Sequence, residues 1–83
     1  MRIHVRLAEP FWRAVGQRDL DLEIENNAAV SDLLALLQDR FPALVNEMAQ
    51  AQPHFFIAEQ EANPETSLQD GARVHIVWPV AGG

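Results

Sequence analysis

The residues best suited to chemistry in this chain are the last two. Gly82 and Gly83 follow "VHIVWPVA" and are half of the four glycines present. Glycine lets a backbone run through a slot too narrow for a Cβ and adopt dihedrals that other residues avoid. A carboxylate is a poor electrophile until it is activated, for example as an acyl-adenylate. A terminal Gly-Gly therefore fits a carboxylate, on Gly83, that is threaded into another protein's active site. Gly82 keeps the approach narrow, and Pro79 and Val80 stiffen the exit from the preceding strand.

A second set of residues could recognise a partner. Arg2, His4 and Arg6 alternate with apolar residues in "MRIHVRL", and Arg73, His75 and Val77 alternate in "RVHIVW". If these segments are neighbouring strands, the six residues share one open face, a basic stripe suited to an acidic partner. Arg6, Arg73, His75 and Val77, with Pro79 and Val80 at the tail root, form the expected partner-binding set.

Other chemistries find no support. The chain has no cysteine, which removes disulfides, thiolate metal sites and cysteine nucleophiles. No phosphate-binding loop, dinucleotide fingerprint, zinc-protease motif or serine nucleophile elbow occurs. The three histidines are scattered, and exposed strand histidines are the commoner reading of His4 and His75, so no metal site is assigned. All six basic residues are arginine, so an acyl group could not land on a lysine of this chain. The net charge of −6 disfavours phosphate backbones and anionic lipids, which argues against nucleic-acid and membrane partners. No apolar run approaches the ~20 residues of a membrane span, and the N-terminal residues lack a signal-peptide core, so the chain reads as cytoplasmic.

These residues need elements to hold them. "MRIHVRL" and "DLDLEIE" alternate as half-buried strands, and the acidic outer face of the second suits a solvated edge. Between them, "AEPFWRAVGQ" reads as a turn with a helical tether through residues 11–15. Val30, Leu33, Leu34, Leu37 and Phe41 make the apolar stripe of a helix that Pro42 ends. Neither Asn27 nor Ser31 sits ideally to cap it. "ALVNEMAQAQ" suggests a further helical turn, "HFFIAEQ" a third strand and "EANPETSLQDGA" a loop with Leu68 tucked inward and a tight turn at Asp70-Gly71. "RVHIVW" is the last strand, and Pro79 should stop its pairing. At 83 residues the chain is expected to form a single domain with residues 79–83 as its tail.

The order strand–strand–helix–strand–strand with a terminal Gly-Gly resembles the β-grasp, ubiquitin-like fold. That is an α+β architecture, here a mixed sheet of about four strands with one main helix packed on one face. Together with "VSDLLALLQDRFPAL", "LQDGARV" and "PVAGG", it resembles the MoaD/ThiS sulfur carriers, most closely the small subunit of molybdopterin synthase. The resemblance implies that Gly83 is adenylated by an ATP-dependent activating enzyme and converted to a thiocarboxylate. The carrier then docks on an acceptor synthase, such as a molybdopterin synthase large subunit, and gives up the sulfur. It implies a non-catalytic subunit with no bound cofactor, ATP being used by the activating enzyme. A ubiquitin-like protein modifier and a noncovalent β-grasp interaction module are the alternatives. The chain departs from the family pattern in three places. Trp78 stands where the first of two prolines is usual, "FFIAEQEAN" lacks the frequent Asn-Gly turn, and "DGAR" replaces the common acidic "DGDE".

Overall fold

The computed structural model describes residues 1–50 and 52–78. Five strands form one sheet: β1 (Arg2–Leu7), β2 (Asp19–Glu23), β3 (His54–Ile57), β4 (Gln60–Ala62) and β5 (Arg73–Val77), in the order β2-β1-β5-β3-β4. β1 and β5 run parallel and side by side, with Val5 opposite Val74 and Arg6 opposite His75. β2 flanks β1 antiparallel, and β3 flanks β5 antiparallel. Three helices complete the fold: α1 (Phe11–Val15), α2 (Val30–Arg40) and α3 (Ala43–Gln50).

Alternation in the strands sends one set of side chains to the helices and the other to solvent. Ile3, Val5, Leu7, Leu20, Leu22, Phe55, Val74 and Ile76 are buried beneath Val30, Leu33 and Leu37 of α2, with Leu44 and Met48 of α3 and Phe11 of α1 in the same core. Leu34 and Phe41 are only partly buried, so the buried stripe of α2 is narrower than its periodicity suggests. Leu68 is tucked inward as expected, at 4% exposure. Gly71 makes the expected turn at φ 82° and its N–H donates to the Arg2 carbonyl, which ties this loop to β1.

Two local features differ from the sequence reading. The sheet has five strands rather than about four: the third strand of "HFFIAEQ" stops at Ile57, and Gln60 turns back to pair with it together with Glu61 and Ala62, which the sequence assigns to a loop. Ala58 and Glu59 join β3 to β4 with positive φ at both, 51° and 66°. That is the two-residue hairpin turn which normally calls for Asn-Gly. The second difference concerns the start of α2. Its N-cap is Ala29, which has no capping side chain. The Val30 and Ser31 N–H groups donate instead to the Thr66 and Pro64 carbonyls, each at 3.0 Å, and Asp32 accepts from the Ala29 N–H at 2.8 Å. A loop more than thirty residues away in sequence thus satisfies donors that a local cap usually serves.

Candidate functional site

The open face of the sheet carries the basic residues singled out in sequence. The register places Arg6 beside His75 and His4 beside Arg73 on the two central strands. Val77 lies opposite His54, and His75 opposite Phe56, across the β5–β3 ladder. Arg6, Arg73, His75 and Val77 therefore come together as expected. Pro79, Val80, Gly82 and Gly83 lie outside the described residues.

The face is not a simple positive stripe. The acidic residues of β2 neutralise its outer side, a consequence of the β1–β2 register that pairs Arg2 with Glu23, His4 with Asp21 and Arg6 with Asp19. The Arg2 guanidinium lies 3.1 Å from the Glu23 carboxylate. His4 bridges two carboxylates, with Nδ1 2.9 Å from Asp21 and Nε2 3.2 Å from Asp19. The hydrogen bond to Asp21 is the main cause that holds the His4 pKa above its ordinary value. On the opposite edge His54 Nδ1 lies 2.6 Å from Glu61 of β4. Among the described residues, Arg6, Arg73 and His75 make no ion pair, so the cationic surface narrows to the centre of the face. Phe56 and Val77, both half-buried, give that centre an apolar floor.

The His54–Glu61 contact was not legible in sequence, because it needs β4, and the turn that makes β4 has neither asparagine nor glycine. His4 and His75 do share the open face, but the register sets each against an arginine, and the His4 ring is taken up by carboxylates. Among the described residues no group of three or more histidine, aspartate or glutamate side chains is arranged to hold a metal ion.

The root of the tail is built differently from the face. Trp78 turns toward the core, and its ring packs on Phe11 of α1 with centroids 5.5 Å apart. The Ala8 N–H donates to the Ile76 carbonyl at 2.9 Å, so β1 and β5 stay paired up to the point where the chain leaves the sheet. Trp12, next to Phe11, lies under the guanidinium of Arg18, 4.7 Å from its ring centroid. Trp78, the residue before Pro79, is thus packed on α1 at the same end of the sheet as Arg6, His75 and Val77.

This arrangement has a counterpart in sequence families. The model of the ThiS family matches residues 5–83, nearly the whole chain and including the terminal Gly-Gly. The chain belongs to the ThiS family. Its five-stranded sheet is a ubiquitin-like β-grasp. A curated relative, small archaeal modifier protein 3 of Haloferax volcanii, is 26% identical over 92 residues, with both chains covered in full. Among solved structures, a putative molybdopterin converting factor subunit 1 from Pyrococcus furiosus superposes with a TM-score of 0.82 at 18% identity, covering 96% of this chain and 99% of that one. A complex of subunits 1 and 2 of the molybdopterin-converting factor from Helicobacter pylori contains a chain similar to this ThiS-family protein, with a TM-score of 0.69, 21% identity and full coverage of both chains. Structural relatives of this fold thus assemble with partner subunits. No helix among the described residues of this ThiS-family protein is long and apolar enough to cross a membrane.

Proposed function

We propose that this protein is a sulfur carrier whose Gly83 carboxylate is adenylated by an ATP-dependent activating enzyme and then converted to a thiocarboxylate. The observation that carries this reading is the family match running through residue 83, with Gly83 five positions after Trp78 in the sequence. In the first step a carboxylate oxygen attacks the α-phosphorus of ATP and pyrophosphate leaves. In the second a sulfur nucleophile displaces AMP from the acyl carbon. The carrier contributes no base to either step; it contributes a narrow end and a surface that sets the end in place. Residues 79–83, fully extended, reach at most ~17 Å. The body must therefore dock close to the partner's reacting centre, and Trp78 on Phe11 fixes where the reach begins.

The docking surface in this reading is the centre of the open face. Arg6, Arg73 and His75 offer positive charge around the apolar floor of Phe56 and Val77, for an activating enzyme and an acceptor synthase in turn. The acceptor we favour is a pterin precursor of molybdopterin, with a synthase large subunit as partner. The likeness to molybdopterin-converting factor subunits supports this choice. A second reading, conjugation to other proteins, is favoured by the likeness to small archaeal modifier protein 3.

Intact-mass measurement on protein isolated from its native host tests the proposal. A carrier gains the mass difference of one oxygen replaced by sulfur, and the gain disappears on hydrolysis. A population found only as covalent conjugates with other proteins overturns the carrier reading in favour of the modifier.

A further inference from the structure

All three histidines of the chain lie on the open sheet face: His4 on β1, His54 on β3 and His75 on β5. His4 meets Asp19 and Asp21 of β2, lies opposite Arg73 of β5, and has Arg2 and Arg6 along its own strand. His54 meets Glu61 of β4 and lies opposite Val77 of β5. His75 stands between Arg6 of β1 and Phe56 of β3, with Arg73 along its strand. The core side chains of the helices pack on the other side of the sheet.

The charge of the face depends on these imidazoles. Its fixed strand charges are the guanidinium groups of Arg2, Arg6 and Arg73 against the carboxylates of Asp19, Asp21, Glu23 and Glu61. With the imidazoles neutral the carboxylates outnumber the cations by one; with all three protonated the cations lead by two. The sign of the face therefore depends on the protonation of these three rings. Each imidazole acts in a different place. His4 and His54 cancel carboxylates of the two edge strands, while His75 adds its charge at the centre, between Arg6 and Phe56.

We infer that this face engages a carboxylate-rich protein surface in a proton-coupled manner, taking up protons on its histidines as the complex forms. The inference rests on the reading of the face as the carrier's docking surface and adds to it a regulation: docking strengthens as the pH falls toward the histidine range. A partner carboxylate beside His75 favours the charged ring, and the same carboxylate is repelled by Asp19, Asp21 and Glu61 unless His4 and His54 are charged. The hydrogen bonds of His4, which already favour its protonated form in the free protein, act in the same direction.

The test uses a short poly-aspartate peptide, whose carboxylates do not titrate in the window used. Binding is followed by backbone NMR shifts and by calorimetry in two buffers of different ionisation enthalpy, at constant ionic strength. Shifts should centre on β1, β5 and β3, affinity should rise about tenfold from about pH 8 to about pH 6, and protons should be taken up. A variant with His4→Gln, His54→Gln and His75→Gln should bind weakly and equally at both pH values. Absence of binding, equal affinity at both pH values, no proton uptake by the wild type, shifts confined to other elements, or an unchanged pH dependence in the variant would each overturn the inference. The assay contains no activating enzyme, and a chain lacking Gly83 should behave as wild type in it. Loss of the thiocarboxylate reading and loss of this inference are thus separate results.

Discussion

The Trp78 ring lies against Phe11 with 5.5 Å between centroids and 42° between ring planes. This contact packs Trp78, the residue after β5, against α1 at the margin of the core. A proline at this position would stiffen the backbone; the indole anchors it by packing instead. Trp78→Ala should cost about 1–3 kcal/mol, from lost burial and the lost aromatic pair. Urea denaturation measures that cost. A midpoint equal to wild type would mean that the tail root is not held by this contact.

Leu37 is wholly buried at the centre of the α2 stripe. Leu37→Ala should destabilise the protein by about 2–5 kcal/mol, a large part of the total stability of a domain this small. The melting temperature should fall accordingly, with the sheet and helices lost in one transition.

The β3–β4 turn is built from residues that resist it. Ala58 and Glu59 both occupy the left-handed region, which costs residues with a Cβ about 1–2 kcal/mol each. The double change Ala58→Asn and Glu59→Gly supplies the residues this hairpin turn prefers and should raise stability by about 1 kcal/mol. A drop in the urea midpoint would refute the turn assignment.

His4 couples stability to pH with a definite sign. Its pKa is raised in the folded protein, chiefly through the hydrogen bond to Asp21. A raised folded pKa means that the stabilisation is complete below the ordinary imidazole value and is lost as the pH rises through the folded one. The stability difference between wild type and His4→Gln should therefore be greatest in mild acid and shrink toward mildly alkaline pH. Its size should be small, because the ring and both carboxylates are solvent-exposed. A difference that grew with pH would contradict the bridge to Asp19 and Asp21.

Gly82→Val tests the working end. A β-branched residue widens the tail and restricts its dihedrals, so ATP-dependent pyrophosphate exchange with the cognate activating enzyme should fall about a hundredfold. Thermal unfolding should be unchanged. Exchange at the wild-type rate would show that the terminal Gly-Gly is not the reacting end.

Much of this protein was legible before any coordinates. The period-two alternation of "RIHVRL", "DLDLE" and "RVHIV" determined which side chains enter the core, because a strand exposes alternate residues to opposite faces. The spacing of Val30, Leu33 and Leu37 did the same for α2, and Asp70-Gly71 marked its own turn. The grouping of Arg6, Arg73, His75 and Val77 follows from those patterns when the first and last strands are neighbours. The tertiary structure decided the rest, where distant groups do work that local residues normally do. The loop at Pro64–Thr66 caps α2, so Ala29 needs no capping side chain. Pairing with β3 and packing of Ala62 on the core hold "QEA" in a strand despite an Ala-Glu turn. The β1–β2 register puts His4 within reach of Asp19 and Asp21, whereas among the described residues Arg6, Arg73 and His75 make no ion pair although Arg6 stands opposite Asp19. Cross-strand distances of a few ångströms join residues far apart in the chain, and no periodicity along the sequence encodes which carboxylate faces which cation.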